Sequence, residues 1–111
     1  MRFEGHHGYY DDERLNPQPF EIDVELALNL QPAGVDDDLG QSVDYGRVHD
    51  AVRRIVETGS FRLLEALAEA ISRDILTDPR VDEVVVRVRK PRVQLGGSLD
   101  YAGVEITRRR Q

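Results

Sequence analysis

The stretch Ser60 to Leu76, SFRLLEALAEAISRDIL, decides the fold. Leu64, Leu67, Ala68, Ile71 and Ile75 recur at three- and four-residue steps, so they share one stripe of an α-helix that has to lie against a core. Ser60 stands where an N-cap is expected. Glu65, about one turn in, falls on the flank of the stripe beside Phe61 and Ala68. A first-turn glutamate can simply complement the helix dipole, whereas a carboxylate at the edge of a core can also grip a ligand.

Working outward, Val48, Ala51, Val52, Ile55 and Val56 mark a preceding helix that starts near Ser42 to Tyr45 and stops at Gly59, while the second helix closes around Thr77 to Pro79. Upstream, PFEIDVELALNL alternates Phe20, Ile22, Val24, Leu26, Leu28 and Leu30 with mostly polar residues, predicting a strand with one buried face. Downstream, Asp82 to Lys90 predicts a strand with Val84, Val86 and Val88 inward and Arg87 and Arg89 outward. Pro91 leaves Lys90 at its extended end. Met1 to Gly8 forms a short first strand with bends at Gly5 and Gly8, and Ala102, Val104 and Ile106 mark a last one. Tyr9 to Gln18, Pro32 to Gln41 and Arg92 to Asp100 are expected as loops, the last with a tight turn at Gly96 and Gly97, and Arg108 to Arg110 as a frayed tail.

The expectation is an α+β fold in one domain, residues 1–111. It is a two-layer sandwich with a four-stranded antiparallel sheet, two helices on one face and the order ββααββ. A sheet this small leaves edges and a face open, so a homo-oligomer is expected.

The chain has 111 residues, 21 acidic and 15 basic, for a net charge of −6. That balance argues against nucleic acid and anionic membrane as partners. There is no cysteine, hence no disulfide and no thiolate chemistry. Neither an apolar leader nor a membrane-length apolar run is visible, which points to the cytoplasm. Of the 15 basic residues 14 are arginine, and Lys90 is the only lysine. An amine can give up its proton and a guanidinium cannot, so position 90 is a candidate for acid/base work, although coding bias toward arginine leaves the same trace.

Other candidates are few. His6 and His7 point to opposite sides of an extended chain and only His49 accompanies them, so no metal is expected. The run Asp36 to Asp38 lacks the spacing of a calcium loop and is expected as solvated acid. Glu13, Tyr45, Glu65 and Lys90 remain. The bland alternatives are solvated surface for Glu13 and aromatic packing on the core for Tyr45.

Five motifs in order, GHHGYYDDE at Gly5 to Glu13, SVDYGRV at Ser42 to Val48, FRLLEALAEAI at Phe61 to Ile71, VRVRKP at Val86 to Pro91 and GVEI at Gly103 to Ile106, resemble the dihydroneopterin aldolase family of folate biosynthesis. The chain differs from that family in a shorter first strand and in the loop PRVQLGGSLD, which lacks the prolines common there. The resemblance implies a tunnelling-fold homo-octamer of two stacked rings with active sites shared between neighbouring subunits, needing no cofactor and no metal. It implies Glu65 as the pterin anchor, assisted by the backbone at Leu64. Val43 and Asp44 supply backbone contacts, Tyr45 comes from the adjacent subunit to act on the substrate hydroxyl, and Glu13 holds the trihydroxypropyl chain. Lys90 is then the general acid/base, not a Schiff-base nucleophile, in retro-aldol cleavage of 7,8-dihydroneopterin. Desolvation, or cationic neighbours such as Arg89 and Arg92, would suit an amine to that work. The same resemblance leaves two further functions open: a 2′-epimerase of dihydroneopterin or its triphosphate, and a non-catalytic oligomeric module that binds pterins or purines.

Overall fold

A computed structural model describes residues 1–92 and 102–110. Four strands, β1 (Arg2–Gly5), β2 (Gln18–Ala27), β3 (Glu83–Lys90) and β4 (Ala102–Arg109), form an antiparallel sheet in the order β1-β2-β3-β4. Between β1 and β2 lies a short helix α1 (Asp11–Leu15). Between β2 and β3 lie a short helix α2 (Gln31–Asp36), a 3₁₀ turn (Leu39–Gln41) and the two long helices α3 (Tyr45–Thr58) and α4 (Leu64–Ile75). The four strands and the two longest helices follow the expected order of two strands, two helices and two strands, with the short helices α1 and α2 and the 3₁₀ turn inserted between them.

Alternation carries the packing. Val84, Val86 and Val88 of β3 are fully buried against Leu67, Ala68 and Ile71 of α4, with Val52 and Val56 of α3 and Phe20 and Ile22 of β2 completing the core. Each such side chain except Ala68 contributes about 1.5–3 kcal/mol by leaving water. The opposite face of the sheet is laced with ion pairs: Arg87 to Glu25 and Glu105, and Arg89 to Asp23. Register sets this division, since Val88 opposes Ile22 and Val104 while Arg89 opposes Glu21 and Gly103.

Several expectations change. The region Tyr9 to Gln18 contains α1, and β2 stops at Ala27 instead of reaching Leu30. The chain there turns into α2, with Asn29 Oδ1 accepting from the Gln31 N–H at 3.1 Å. The acidic run is partly structural: Asp36 ends α2, Asp37 takes a left-handed conformation with φ of 51°, and Asp38 caps the 3₁₀ turn. Ser60 is not the N-cap of α4; Leu63 is, and Ser60 donates instead to the His6 carbonyl at 3.4 Å. Gly59 does end α3, but with φ of −81° it supplies no left-handed turn. A Cβ there would stand 2.7 Å from the Ile55 carbonyl oxygen and 2.8 Å from the Phe61 ring, so the requirement is space. The arginine tail is not frayed over its described part. Arg108 pairs with Glu69, Arg109 with Glu83, and the Arg110 guanidinium donates to the carbonyls of Leu76, Asp78 and Val81. The expected turn at Gly96 and Gly97 lies outside the described residues.

Candidate active site

The last residue of β3 has the same parity as Val84, Val86 and Val88, so Lys90 continues the inward row where the core gives way to the rim. Its Nζ meets the carboxylate of Glu13, with both side chains mostly covered, at 15% and 22% exposure. Gln18 Nε2 also donates to Glu13 Oε2 at 3.4 Å, and the Tyr10 N–H donates to Oε1 at 3.4 Å. Burial works to raise the Glu13 carboxyl, but the bonds and charge of Lys90, with those backbone and amide donors, outweigh it and hold the group below its ordinary value of 4.5. The charged neighbour of Lys90 is therefore an acid. The expected cationic neighbour Arg89 turns to the opposite face and pairs with Asp23 at 2.7 Å.

Glycine makes the pair possible. Gly8 has φ of +155°, and a Cβ there would lie 2.4 Å from the Glu13 carboxyl carbon, inside the space the acid needs. The Gly8 N–H donates to the Phe61 carbonyl at 2.9 Å, which ties the Glu13 segment to the connection leading into α4. One turn beyond Phe61, Leu64 is half-buried and Glu65 is exposed, both in the first turn of α4. Leu63 gives no side-chain cap, and the first helical bonds are those of Ala66 and Leu67 N–H to the Leu63 carbonyl. The N–H groups of Leu64 and Glu65 accordingly stand at an uncapped helix start with the Glu65 carboxylate beside them.

Val43, Asp44 and Tyr45 are elsewhere. Asp44 caps α3, accepting from the Gly46 N–H at 2.9 Å, and with Val43 it shares a cleft with Ile75, Thr77 and Val81 past the far end of α4. Tyr45 is 87% exposed, so it does not pack on the core of its own chain. From Tyr45 to Val56, next to the Gly5–His7 segment, α3 rises about 17 Å at 1.5 Å per residue. Glu13, Leu64, Glu65 and Lys90 thus sit at one end of the sandwich, and Val43, Asp44 and Tyr45 at the other.

Glu13 and Lys90 meet on one rim, and the chain matches a known family model, dihydroneopterin aldolase (FolB), over residues 1–107. The chain belongs to the dihydroneopterin aldolase family. It is 37% identical over 110 residues to the dihydroneopterin aldolase of Streptococcus pyogenes serotype M6, covering 98% of this chain and 92% of that one. Among solved structures, it is similar to the Escherichia coli dihydroneopterin aldolase in complex with neopterin, with a TM-score of 0.87, 26% identity and coverage of 96% and 91%. It is also similar to a Burkholderia thailandensis dihydroneopterin aldolase bound to guanine, with a TM-score of 0.81, 28% identity and coverage of 100% and 86%.

Sequence reasoning missed the residues that hold this end of the sandwich together. His7, weighed only as a metal ligand, is buried; Gln18, assigned to a loop, begins β2 and donates to the His7 carbonyl at 3.1 Å as well as to Glu13. The one available signal was the pair of glycines flanking the histidines in GHHG, which marks backbone approaching something closely. His49 lies apart, with its ring 5.1 Å from that of Phe3.

Proposed function

We propose that the protein cleaves 7,8-dihydroneopterin by a retro-aldol reaction to 6-hydroxymethyl-7,8-dihydropterin and glycolaldehyde. The observation that carries this reading is the lone lysine, on the inward face of β3 at the rim, held by Glu13 beside the uncapped start of α4. Glu65 accepts two parallel hydrogen bonds from the pterin 2-amino and ring N–H groups, a geometry that fixes the ring's direction, and the Leu64 backbone adds a donor. Neopterin and guanine, the ligands of the two solved relatives, share that amidine edge.

In the cleavage the 2′-hydroxyl gives up its proton, the bond between C1′ and C2′ breaks, and its electron pair moves into the ring, where N5 takes a proton. A proton then adds at C1′ while N5 gives its proton back, which restores the ring C–N double bond and completes the hydroxymethyl product. Lys90 serves N5 directly or through water, and forms no Schiff base. Glu13 exchanges its bond to Lys90 for the substrate's hydroxyls, and Tyr45 assists removal of the hydroxyl proton. The length of α3 favours drawing Tyr45 from a second copy, together with the Val43 and Asp44 backbone, in a homo-octamer of the kind the family resemblance implies.

The test is the product profile of purified protein given 7,8-dihydroneopterin, resolved chirally and assayed for glycolaldehyde. Release of glycolaldehyde in step with hydroxymethyl-dihydropterin is expected. A 2′-epimer without glycolaldehyde would replace cleavage with epimerisation, and pterin binding without turnover would make the protein a binding module.

A further inference from the structure

We propose that His7 is a positioning residue: its neutral imidazole clamps the segment entering α4, and with it Leu64 and Glu65, to the segment that carries Glu13. The inference rests on the reading that Glu65 and Lys90 serve one ligand.

The geometry fixes the tautomer. A backbone N–H can only donate, so the Phe61 N–H at 3.1 Å requires a lone pair on His7 Nδ1. Nε2 then carries the proton and donates to the Val56 carbonyl at 2.7 Å. The ring is 0% exposed, stacked on Phe61 at 5.5 Å between centroids and edge-on to Phe20 at 5.0 Å. With the Gly8 N–H bonded to the Phe61 carbonyl, residues 7 and 8 fasten Phe61 at both its N–H and its carbonyl while also gripping the end of α3. Gly5 leaves room for this, since a Cβ there would stand 2.8 Å from the His7 ring and 2.9 Å from the Val56 carbonyl oxygen. The two glycines of GHHG thus serve two adjoining contacts, Gly5 the His7 clamp and Gly8 the Glu13 carboxylate.

Protonation would turn Nδ1 into a donor facing the Phe61 N–H. Burial holds the His7 pKa below 6.5, the Val56 carbonyl works against that, and a charge on neighbouring His6 would lower it further. The ring meets Phe20 from β2, the Val56 carbonyl from α3 and Phe61 from the connection, and none of these is charged. Because the native pKa is the depressed one, the stabilising contribution is complete above 6.5 and is lost as pH falls through the native value. The clamp is closed at neutral pH and opens in acid.

His7→Asn keeps an acceptor near the Nδ1 position and does not titrate, whereas His7→Gln keeps a donor near Nε2 and loses that acceptor. With neopterin as the probe, His7→Gln is expected to bind about tenfold or more weakly, as for an orphaned buried donor, and His7→Asn within about threefold of the wild type. His7→Asn should also lose the acid limb of the wild-type binding curve that belongs to His7. Equal binding by both variants with an unchanged acid limb would overturn the proposal. Two readings on the wild type alone need neither a variant nor a ligand. Nitrogen NMR should show Nδ1 bare and Nε2 protonated, and exchange protection of the Phe61, Leu64 and Glu65 amides should fall as His7 titrates. The opposite tautomer, or protection indifferent to that titration, sinks the clamp. Wild type that shows both signatures yet binds no neopterin would refute the proposed function and leave the clamp standing.

Discussion

At the end of the sandwich where β1 and β3 stop, Gly8, Glu13, Phe61 and Lys90 are joined across four parts of the chain, around a histidine with no exposure. At the opposite end Leu30, Val35, Leu39 and Tyr45 are all more than half exposed, on an arm formed by α2, the 3₁₀ turn and the start of α3. The contrast separates two ways of preparing a site. The first end is preorganised within one chain, with Glu13 and Lys90 already in contact. The second presents apolar and phenolic groups that no other described residue covers.

The largest effect that would sharpen this contrast is on turnover. Lys90→Arg preserves the charge facing Glu13 but not the ability to pass a proton, so glycolaldehyde release should fall about 10²- to 10⁴-fold while neopterin binding stays within a few-fold. An arginine variant with near-normal rate would remove the acid/base role. Coexpression of Lys90→Arg chains with Tyr45→Phe chains tests whether the two ends belong to different copies. Random mixing should return about a quarter of the sites to full composition, and activity no better than the average of the two variants would mean that each chain supplies its own site.

Smaller effects follow at the preorganised end. Glu65→Gln should weaken neopterin binding by about 10- to 100-fold and leave the melting temperature unchanged, because the side chain is exposed and its worth lies in the ligand. Glu13 links that end to pH. With its native pKa held below 4.5, its contribution to stability is present above 4.5 and disappears as pH falls through the lowered value, and Glu13→Gln should flatten that slope in acid unfolding. Gly8→Ala should cost about 1–3 kcal/mol in denaturant unfolding, since the left-handed backbone and the crowding by Glu13 both oppose a side chain. Gly34, in α2 of the exposed arm, has nothing within 4 Å of where a Cβ would go, so Gly34→Ala should stabilise by about 0.5–1 kcal/mol. Equal costs at the two glycines would erase the distinction between the ends.

Much of this molecule was legible beforehand, and the failures have a pattern. The stripe in Leu64 to Ile75 and the alternation in β2 and β3 were read correctly because each is a local repeat with many votes. The N-cap at Ser60 was misplaced because the residues after Gly59 are held to the His6–His7 segment before α4 begins, which no propensity of Ser60 reveals. The arginine tail was misjudged because its partners, the carbonyls of Leu76, Asp78 and Val81, are main-chain groups that every sequence possesses. Of the candidate site, the four principal residues were named from type and motif. Their division into two ends was implied only by the family resemblance and could not be read from the residues, because it depends on the length and direction of α3 in space.

The sequence by itself determined which residues face inward and which single residue can carry a proton as an amine, since backbone geometry imposes periods of 2 and 3.6 on any chain and composition counts are complete. Only the tertiary structure decided that Lys90 faces Glu13 at a separation of 77 residues and that His7 is locked between Val56 and Phe61. It alone put Tyr45 out of reach of both. Those pairings follow from strand register and helix packing, which sum over the whole core and leave no local trace at the residues they bring together.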